Sequence, residues 1–177
     1  MPETPPRPTF IIEPLNNEHD RAAFSCPSTE LERYVKQQIG QDVRKYATIP
    51  YVLTPDHKTI AGFYTLSQYS ITLVDVPAEV ARMFPRYPVV SATLLGRLAV
   101  ANRYLGQHLG ELLLIDAQRR ALQLSKKAAS AALIVDAKDD NALAFYKKYN
   151  FIELPRVERR LFKPMATIAK LFPDEDR

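Results

Sequence analysis

The sequence holds one cysteine, Cys26, and three histidines. A lone cysteine excludes an internal disulfide, and neither it nor His19 or His57 falls in a metal-ligand spacing, so no metal is expected. No segment approaches the roughly 18 uninterrupted apolar residues that a membrane span needs. The opening Met1-Pro2-Glu3-Thr4-Pro5-Pro6-Arg7-Pro8 lacks the apolar stretch of a signal peptide. The expectation is a soluble protein of a reducing cytoplasm, without membrane contact. Repeats and low-complexity segments are absent. No Gly-Lys-Ser/Thr follows a glycine loop, and no Gly-x-Gly-x-x-Gly occurs, which excludes a Walker loop and a dinucleotide fingerprint. Paired carboxylates suited to general acid–base work are missing too: Asp116, Asp136, Asp139 and Asp140 read as helix or loop residues.

What is present is ordinary globular material. The 177 residues are 46% hydrophobic, 10% aromatic and 25% charged, which suits one domain with a real core. The formal charge is +4. Between Phe145 and Lys163 lie Lys147, Lys148, Arg156, Arg159, Arg160 and Lys163 against Glu153 and Glu158, which makes this short stretch as basic as the entire chain. On charge alone it reads as a solvated face.

Residues 1–9 form a proline-rich tail, 10–172 the expected domain and 173–177 a second tail. A short helix is expected over 16–24. Thr29 and Glu32 have capping-box spacing, and Leu31, Tyr34, Val35 and Ile39 follow at helical intervals, which predicts a helix from 29 to about 40 or 44. Strands are expected at 49–54 and 59–67 around the turn Pro55-Asp56-His57-Lys58, with 70–74 extending the meander. Pro77, Pro85 and Pro88 make 75–90 an irregular or short-helical connection. The apolar run 93–100 predicts a central strand. Leu109, Leu112, Leu113, Ala117 and Leu124 mark a helix, 131–135 a buried strand, and Ala142, Phe145, Tyr146 and Tyr149 a further helix. Asn150 stands where a left-handed cap falls. Strands over 151–154 and 159–162 complete a mixed α/β order.

The chemically sharpest feature is the junction from Val100 to Gly110, which joins the buried strand to an amphipathic helix. A helix N-terminus presents unpaired N–H groups and a positive dipole end, which favour phosphate. A glycine lets the backbone approach a diphosphate, and Arg103 adds charge. On pattern alone, glycines that merely shape a tight turn explain the junction equally well.

Arg103-x-x-Gly106-x-His108 resembles the acyl-CoA loop of the GNAT N-acetyltransferases, Arg/Gln-x-x-Gly-x-Gly/Ala. More of the chain is similar to one branch, the toxins of toxin–antitoxin modules that acetylate aminoacyl-tRNA. The similarity is carried by Phe24-Ser25-Cys26, Gln41-Asp42, Tyr51-Val52-Leu53, Gly62-Phe63-Tyr64-Thr65-Leu66-Ser67, Pro85-Arg86-Tyr87-Pro88, Leu95-Gly96-Arg97-Leu98-Ala99-Val100, Val135-Asp136-Ala137, Ala144-Phe145-Tyr146 and Arg160-Leu161-Phe162. Two positions depart from the pattern: His108 replaces a small residue, and Asn150 replaces a glycine.

The resemblance implies a GNAT α/β fold, with a mixed sheet flanked by helices, and acetyl-CoA as donor. Leu98, Ala99 and Val100 would pair with pantetheine and polarise the thioester carbonyl. Arg103, Gly106, Gln107, His108, Leu109 and Gly110 would hold the diphosphate, and Asn141 the pantetheine arm. Tyr146 would protonate the departing sulfur. Arg86, Arg97, Lys147, Lys148, Arg159 and Arg160 are candidates for tRNA phosphates. Cys26 reads as structural. A homodimer and a small ribbon-helix-helix antitoxin are implied as well. Two other readings remain: a GNAT enzyme for another amine (protein, polyamine or metabolite), and a catalytically silent GNAT fold, which His108 favours.

Overall fold

A computed structural model describes residues 2, 4 and 6–175. Of the two expected tails, residues 1, 3, 5, 176 and 177 lie outside the described residues. Seven strands, β1 (Ile11–Pro14), β2 (Ile49–Thr54), β3 (Gly62–Thr72), β4 (Val89–Val100), β5 (Ala132–Asp136), β6 (Ile152–Glu153) and β7 (Arg160–Pro164), form one sheet in the order β1-β2-β3-β4-β5-β7-β6. β1–β2, β5–β7 and β6–β7 are antiparallel while β4–β5 is parallel. The sheet is therefore mixed, as expected, and 93–100 belongs to its central strand. The chain divides into two compact units, Met1–Tyr64 with Leu98–Leu113, and Thr65–Arg97 with Leu114–Arg177.

In the first unit the expected helix is present but interrupted. α1 (Thr29–Arg33) passes through a π-helical turn, Tyr34–Gln38, into α2 (Ile39–Arg44). Its cap is Ser28 rather than Thr29: Ser28 Oγ accepts from the Leu31 N–H at 3.3 Å, and Glu32 Oε1 accepts from Cys26 N–H at 3.3 Å. Cys26 is buried and its thiol donates to the Ser28 carbonyl at 3.2 Å, a structural placement. Phe24 and Tyr34 both meet the ring of Phe63, and Tyr51 stacks on Tyr64. The helix expected over 16–24 is replaced by turns. Local side chains outcompete it there: Asn16 Oδ1 takes the Glu18 N–H, Asp20 Oδ1 takes that of Ala23, and His19 Nδ1 takes that of Asn16. β1, absent from the sequence expectation, pairs Ile11 to Pro14 with Thr54 to Tyr51.

The second unit holds α3 (Ala78–Ala81), most of α4 (Leu109–Ser125), α5 (Asp140–Lys148) and an unforeseen α6 (Met165–Ala169). All four residues from Ala132 to Val135 are buried, which explains the apolar run of a strand covered on both faces. Ile71, Phe84, Val90, Ile134, Leu154 and Phe162 belong to one apolar cluster. β3 continues unbroken to Thr72 instead of restarting at 70. On α4 the buried face is Leu109, Leu113, Leu114, Ala117, Ala121 and Leu122, and Leu112 turns outward. Asn150 takes φ +67°, as its position required.

Candidate active site

The junction after β4 is shaped by backbone and anchored on the N-terminal segment. Ala101 N–H donates to the Ala61 carbonyl at 2.8 Å, and Asn102 N–H to that of Ser25 at 2.8 Å; Asn102 Nδ2 donates to Ser25 Oγ at 2.9 Å. Tyr104 is buried and meets Phe10 edge-on at 5.6 Å. Gly62 lies so close that an added Cβ would fall 2.9 Å from Leu113 Cδ1 and 3.0 Å from the Ala99 carbonyl oxygen. Ser25, Ala61 and Gly62 thus set the loop; Ser25 and Gly62 stand in motifs of the resemblance, which gives them no role, and no sequence signal marks Ala61.

Within the loop, Gly106 has φ +79° and open space where a Cβ would stand. His108 also takes a positive φ, +58°, a conformation histidine tolerates at some cost. Its carbonyl accepts from Leu112 N–H, which makes His108 the residue that caps the first turn of α4 and puts Leu109 and Gly110 at the positive end of the helix. The His108 side chain is 82% exposed and its Nδ1 lies 3.6 Å from Glu111 Oε1; the imidazole therefore does not fill the loop. Arg103 is exposed, with its guanidinium carbon 5.5 Å from the Tyr104 ring centroid, and Gln107 is exposed as well. Glycine, open backbone and the N-terminus of a 17-residue helix suit a diphosphate.

β4 supplies a second feature. Its parallel ladder with β5 runs over Thr93–Leu133, Leu94–Ile134 and Leu95–Val135, yet β4 continues to Val100. Leu98, Ala99 and Val100 lie beyond that ladder.

In the second unit, Asp139 caps α5, its Oδ1 accepting from Ala142 N–H at 2.8 Å. Asn141 is the exposed second residue of the helix. Tyr146, one turn further on, is only 6% exposed and meets Phe145 and Phe151 edge-on. Burial first, and the negative charge of Asp136 second, push its phenol above the ordinary value, so it holds its proton firmly. The C-terminal turn of α5 is pinned by a residue that charge patterning alone places on the surface. Lys163 is 3% exposed, and its Nζ donates to Gln118 Oε1 at 2.7 Å and to the Tyr149 carbonyl at 3.0 Å. Burial lowers its pKa.

The basic stretch is accordingly not a free cationic face. Lys147 pairs with Glu153 at 2.9 Å and Arg159 with Asp140 at 3.2 Å. Arg160 makes a bidentate pair with Asp136, at 2.7 and 2.9 Å, and donates to Tyr69 Oη. Lys148 is exposed, with Nζ 5.7 Å from the Tyr149 ring. Arg97 is half-buried in β4. Arg86 is exposed and has no partner among the described residues. His19 is buried and hydrogen-bonded through both ring nitrogens, to Asn16 N–H and Glu13.

A family model described as the acetyltransferase (GNAT) family matches residues 13–151. The chain belongs to the GNAT acetyltransferase family. Among its GNAT relatives, the probable toxin TacT of Sinorhizobium fredii is 31% identical over 170 residues, covering 91% of this chain and 94% of that protein. A tRNA-acetylating toxin of Mycobacterium tuberculosis is 31% identical over 137 residues, covering 77% and 81%. The GNAT fold is shared with solved structures of the toxin AtaT. AtaT complexed with acetyl-methionyl-tRNAfMet superposes with TM-score 0.84 at 25% identity, covering 93% of this chain and 99% of that one. AtaTR bound with AcCoA gives 0.81 at 26%, covering 92% and 98%. A mutant AtaT bound to the C-terminus of the antitoxin AtaR gives 0.79 at 25%, covering 93% and 97%.

Proposed function

We propose that this GNAT enzyme is a toxin that transfers acetyl from acetyl-CoA to the amino group of aminoacyl-tRNA and so blocks translation. The observation that carries the reading is the 31% identity with a tRNA-acetylating toxin across 77% of the chain, joined to a loop whose amides suit a diphosphate. AtaT, solved with acetyl-methionyl-tRNAfMet and in a complex with AcCoA, supports the substrate and the donor.

The donor brings an activated acetyl thioester. In the proposed site, Arg103, Gly106, Gln107, His108, Leu109 and Gly110 bind the diphosphate, and Leu98, Ala99 and Val100 offer strand amides to pantetheine and the carbonyl. Asn141 holds the pantetheine arm. The substrate nitrogen attacks the carbonyl carbon, the C–S bond breaks, Tyr146 Oη gives its proton to sulfur, and the proton shed by the new amide nitrogen returns to the phenolate through water. An aminoacyl ester is less basic than an ordinary amine, so water takes its ammonium proton. No carboxylate is needed as base.

For the tRNA we propose contacts from Arg86, Arg97, Lys147, Lys148, Arg159 and Arg160. Arg86 has no partner to give up; a phosphate at Arg160 must share the guanidinium with Asp136. We further propose a homodimer acting in the cytoplasm and held silent by a small ribbon-helix-helix antitoxin; AtaT bound to AtaR supports an antitoxin partner. Among the described residues no helix is long and apolar enough to cross a membrane.

The test is acetyl transfer from labelled acetyl-CoA to a pool of charged tRNAs, with deacylated tRNA, free amino acids, polyamines and peptide N-termini as competitors. Label in charged tRNA alone supports the reading. Label only in another amine makes the enzyme a different GNAT, and label nowhere makes it a silent fold.

A further inference from the structure

The connection between α3 and β4 presents an aromatic ring and two cations that the described residues leave unpartnered. From Val80 to Gly110 the sequence contains no aspartate or glutamate but four arginines: Arg82, Arg86, Arg97 and Arg103. Within the second unit, Phe84 is buried and anchors the connection, its ring 5.2 Å from that of Phe162. Pro85 and Pro88 each lock φ and flank Arg86 and Tyr87. Tyr87 N–H donates to the Pro85 carbonyl at 2.9 Å, and Leu73 N–H to the Pro88 carbonyl at 2.9 Å. The display is therefore rigid, and little ordering entropy is lost when it binds.

On this support Tyr87 is 67% exposed, and neither it, Arg82 nor Arg86 has a side-chain partner among the described residues. The chemistry of the patch selects its occupant. Exposed Met83 and Val89 would suit any apolar surface, but two unpaired guanidinium groups ask for anions, and a bare aromatic face asks for a flat π-system. Nucleic acid offers both. A duplex keeps its base faces stacked on one another; an unpaired strand leaves them open.

We infer that Tyr87, flanked by Arg82 and Arg86, is a stacking platform for the single-stranded end of an RNA. The inference rests on the proposed function, because the aminoacyl ester of a charged tRNA sits on its unpaired terminus. It goes beyond phosphate contacts by naming the base-stacking residue and the unpaired strand as what this surface takes.

The experiment measures binding of a fluorescein-labelled single-stranded hexaribonucleotide ending in CCA, and of a blunt RNA duplex, to the full chain. Tyr87→Ala is expected to weaken the single-stranded probe about five- to hundred-fold, the range that one base–aromatic stack covers, and to leave the duplex unchanged. Tyr87→Phe keeps the affinity while Tyr87→Leu behaves as Tyr87→Ala. Arg82→Gln and Arg86→Gln each lower the salt dependence for the single strand. Unchanged acetyl-CoA affinity in calorimetry shows that the variants are folded. Equal affinity of Tyr87→Ala and natural protein for the single strand overturns the inference, as does rescue by Tyr87→Leu. So does a change from dimer to monomer in Tyr87→Ala by sedimentation, which would give the ring to a second copy. Because this readout needs no acetyl transfer, strand binding without acetylation would count against the proposed function and not against the platform.

Discussion

Asp136 and Arg160 face each other across the β5–β7 ladder and form a bidentate ion pair, with Nε–Oδ1 at 2.7 Å and Nη2–Oδ2 at 2.9 Å. Asp136 ends β5 and Arg160 begins β7, so the pair closes the ladder at one end. The same guanidinium lies over the Tyr69 ring, 4.9 Å from its centroid, which ties β3 to the cluster. Arg160→Met is expected to destabilise the fold by about 1 to 2 kcal/mol, because Asp136 loses a two-pronged, half-buried partner. Urea unfolding measures this. Unchanged stability would show that the fold does not depend on the pair.

Tyr146 should remain a proton donor well into alkaline solution. Burial, and then the charge of Asp136, raise its phenol. The folded chain therefore keeps the neutral form, and the associated stability is intact below the unfolded value near 10 and lost only as pH rises above it. The rate of acetyl transfer, corrected for ester hydrolysis, should show no falling limb from Tyr146 between about pH 8 and pH 10. A limb in that window that disappears in Tyr146→Phe while residual activity persists would contradict the assignment.

The hairpin between β2 and β3 should be acid-sensitive through Asp56. Thr59 N–H, the Thr59 hydroxyl and Lys58 N–H donate to its carboxylate at 2.6, 2.8 and 3.0 Å, and they hold its pKa down from 3.8 to about 2. A depressed carboxylate stabilises above its unfolded pKa, and that contribution is lost as pH falls from about 4 to about 2. The melting temperature of Asp56→Asn should fall less steeply over this window than that of the natural protein. Parallel slopes would remove Asp56 from the hairpin's acid response.

His108→Gly tests the departure from the family loop. Glycine adopts the positive φ of this position freely, so the fold should be unchanged or stabilised by up to about 1 kcal/mol. Because the imidazole is mostly in solvent, acetyl-CoA affinity should stay within about threefold of the natural protein. Calorimetry measures both binding and folding. A loss of about tenfold would show the imidazole contributing to the diphosphate site.

Elements set by local period were legible in the sequence, and those set by distant partners were not. The spacing of Leu109, Leu113 and Ala117 announces α4, the run 93–100 announces β4, and Asn150 marks the left-handed cap of α5. β1 has only four residues and exists because Ile11 to Pro14 pair with β2; nothing within the segment distinguishes it. The turns over 16–24 follow from side chains that cap their own backbone, and a helical pattern does not reveal that competition. At the candidate site, motif order alone singles out Gly106 and Tyr146. In the sequence Lys163 reads as surface charge, because its acceptors, Gln118 and Tyr149, lie 45 and 14 residues away. Asp136 and Arg160 lie 24 residues apart, and their pairing appears only when β5 and β7 meet.

The most direct measurement digests charged tRNA with ribonuclease after incubation with acetyl-CoA and the enzyme, and reads the terminal aminoacyl-adenosine by mass. The account predicts an aminoacyl-adenosine heavier by one acetyl group with the natural protein and none with folded, acetyl-CoA-binding Tyr146→Phe. Unmodified aminoacyl-adenosine from the natural protein, or the same acetylated product at full yield from Tyr146→Phe, would contradict it.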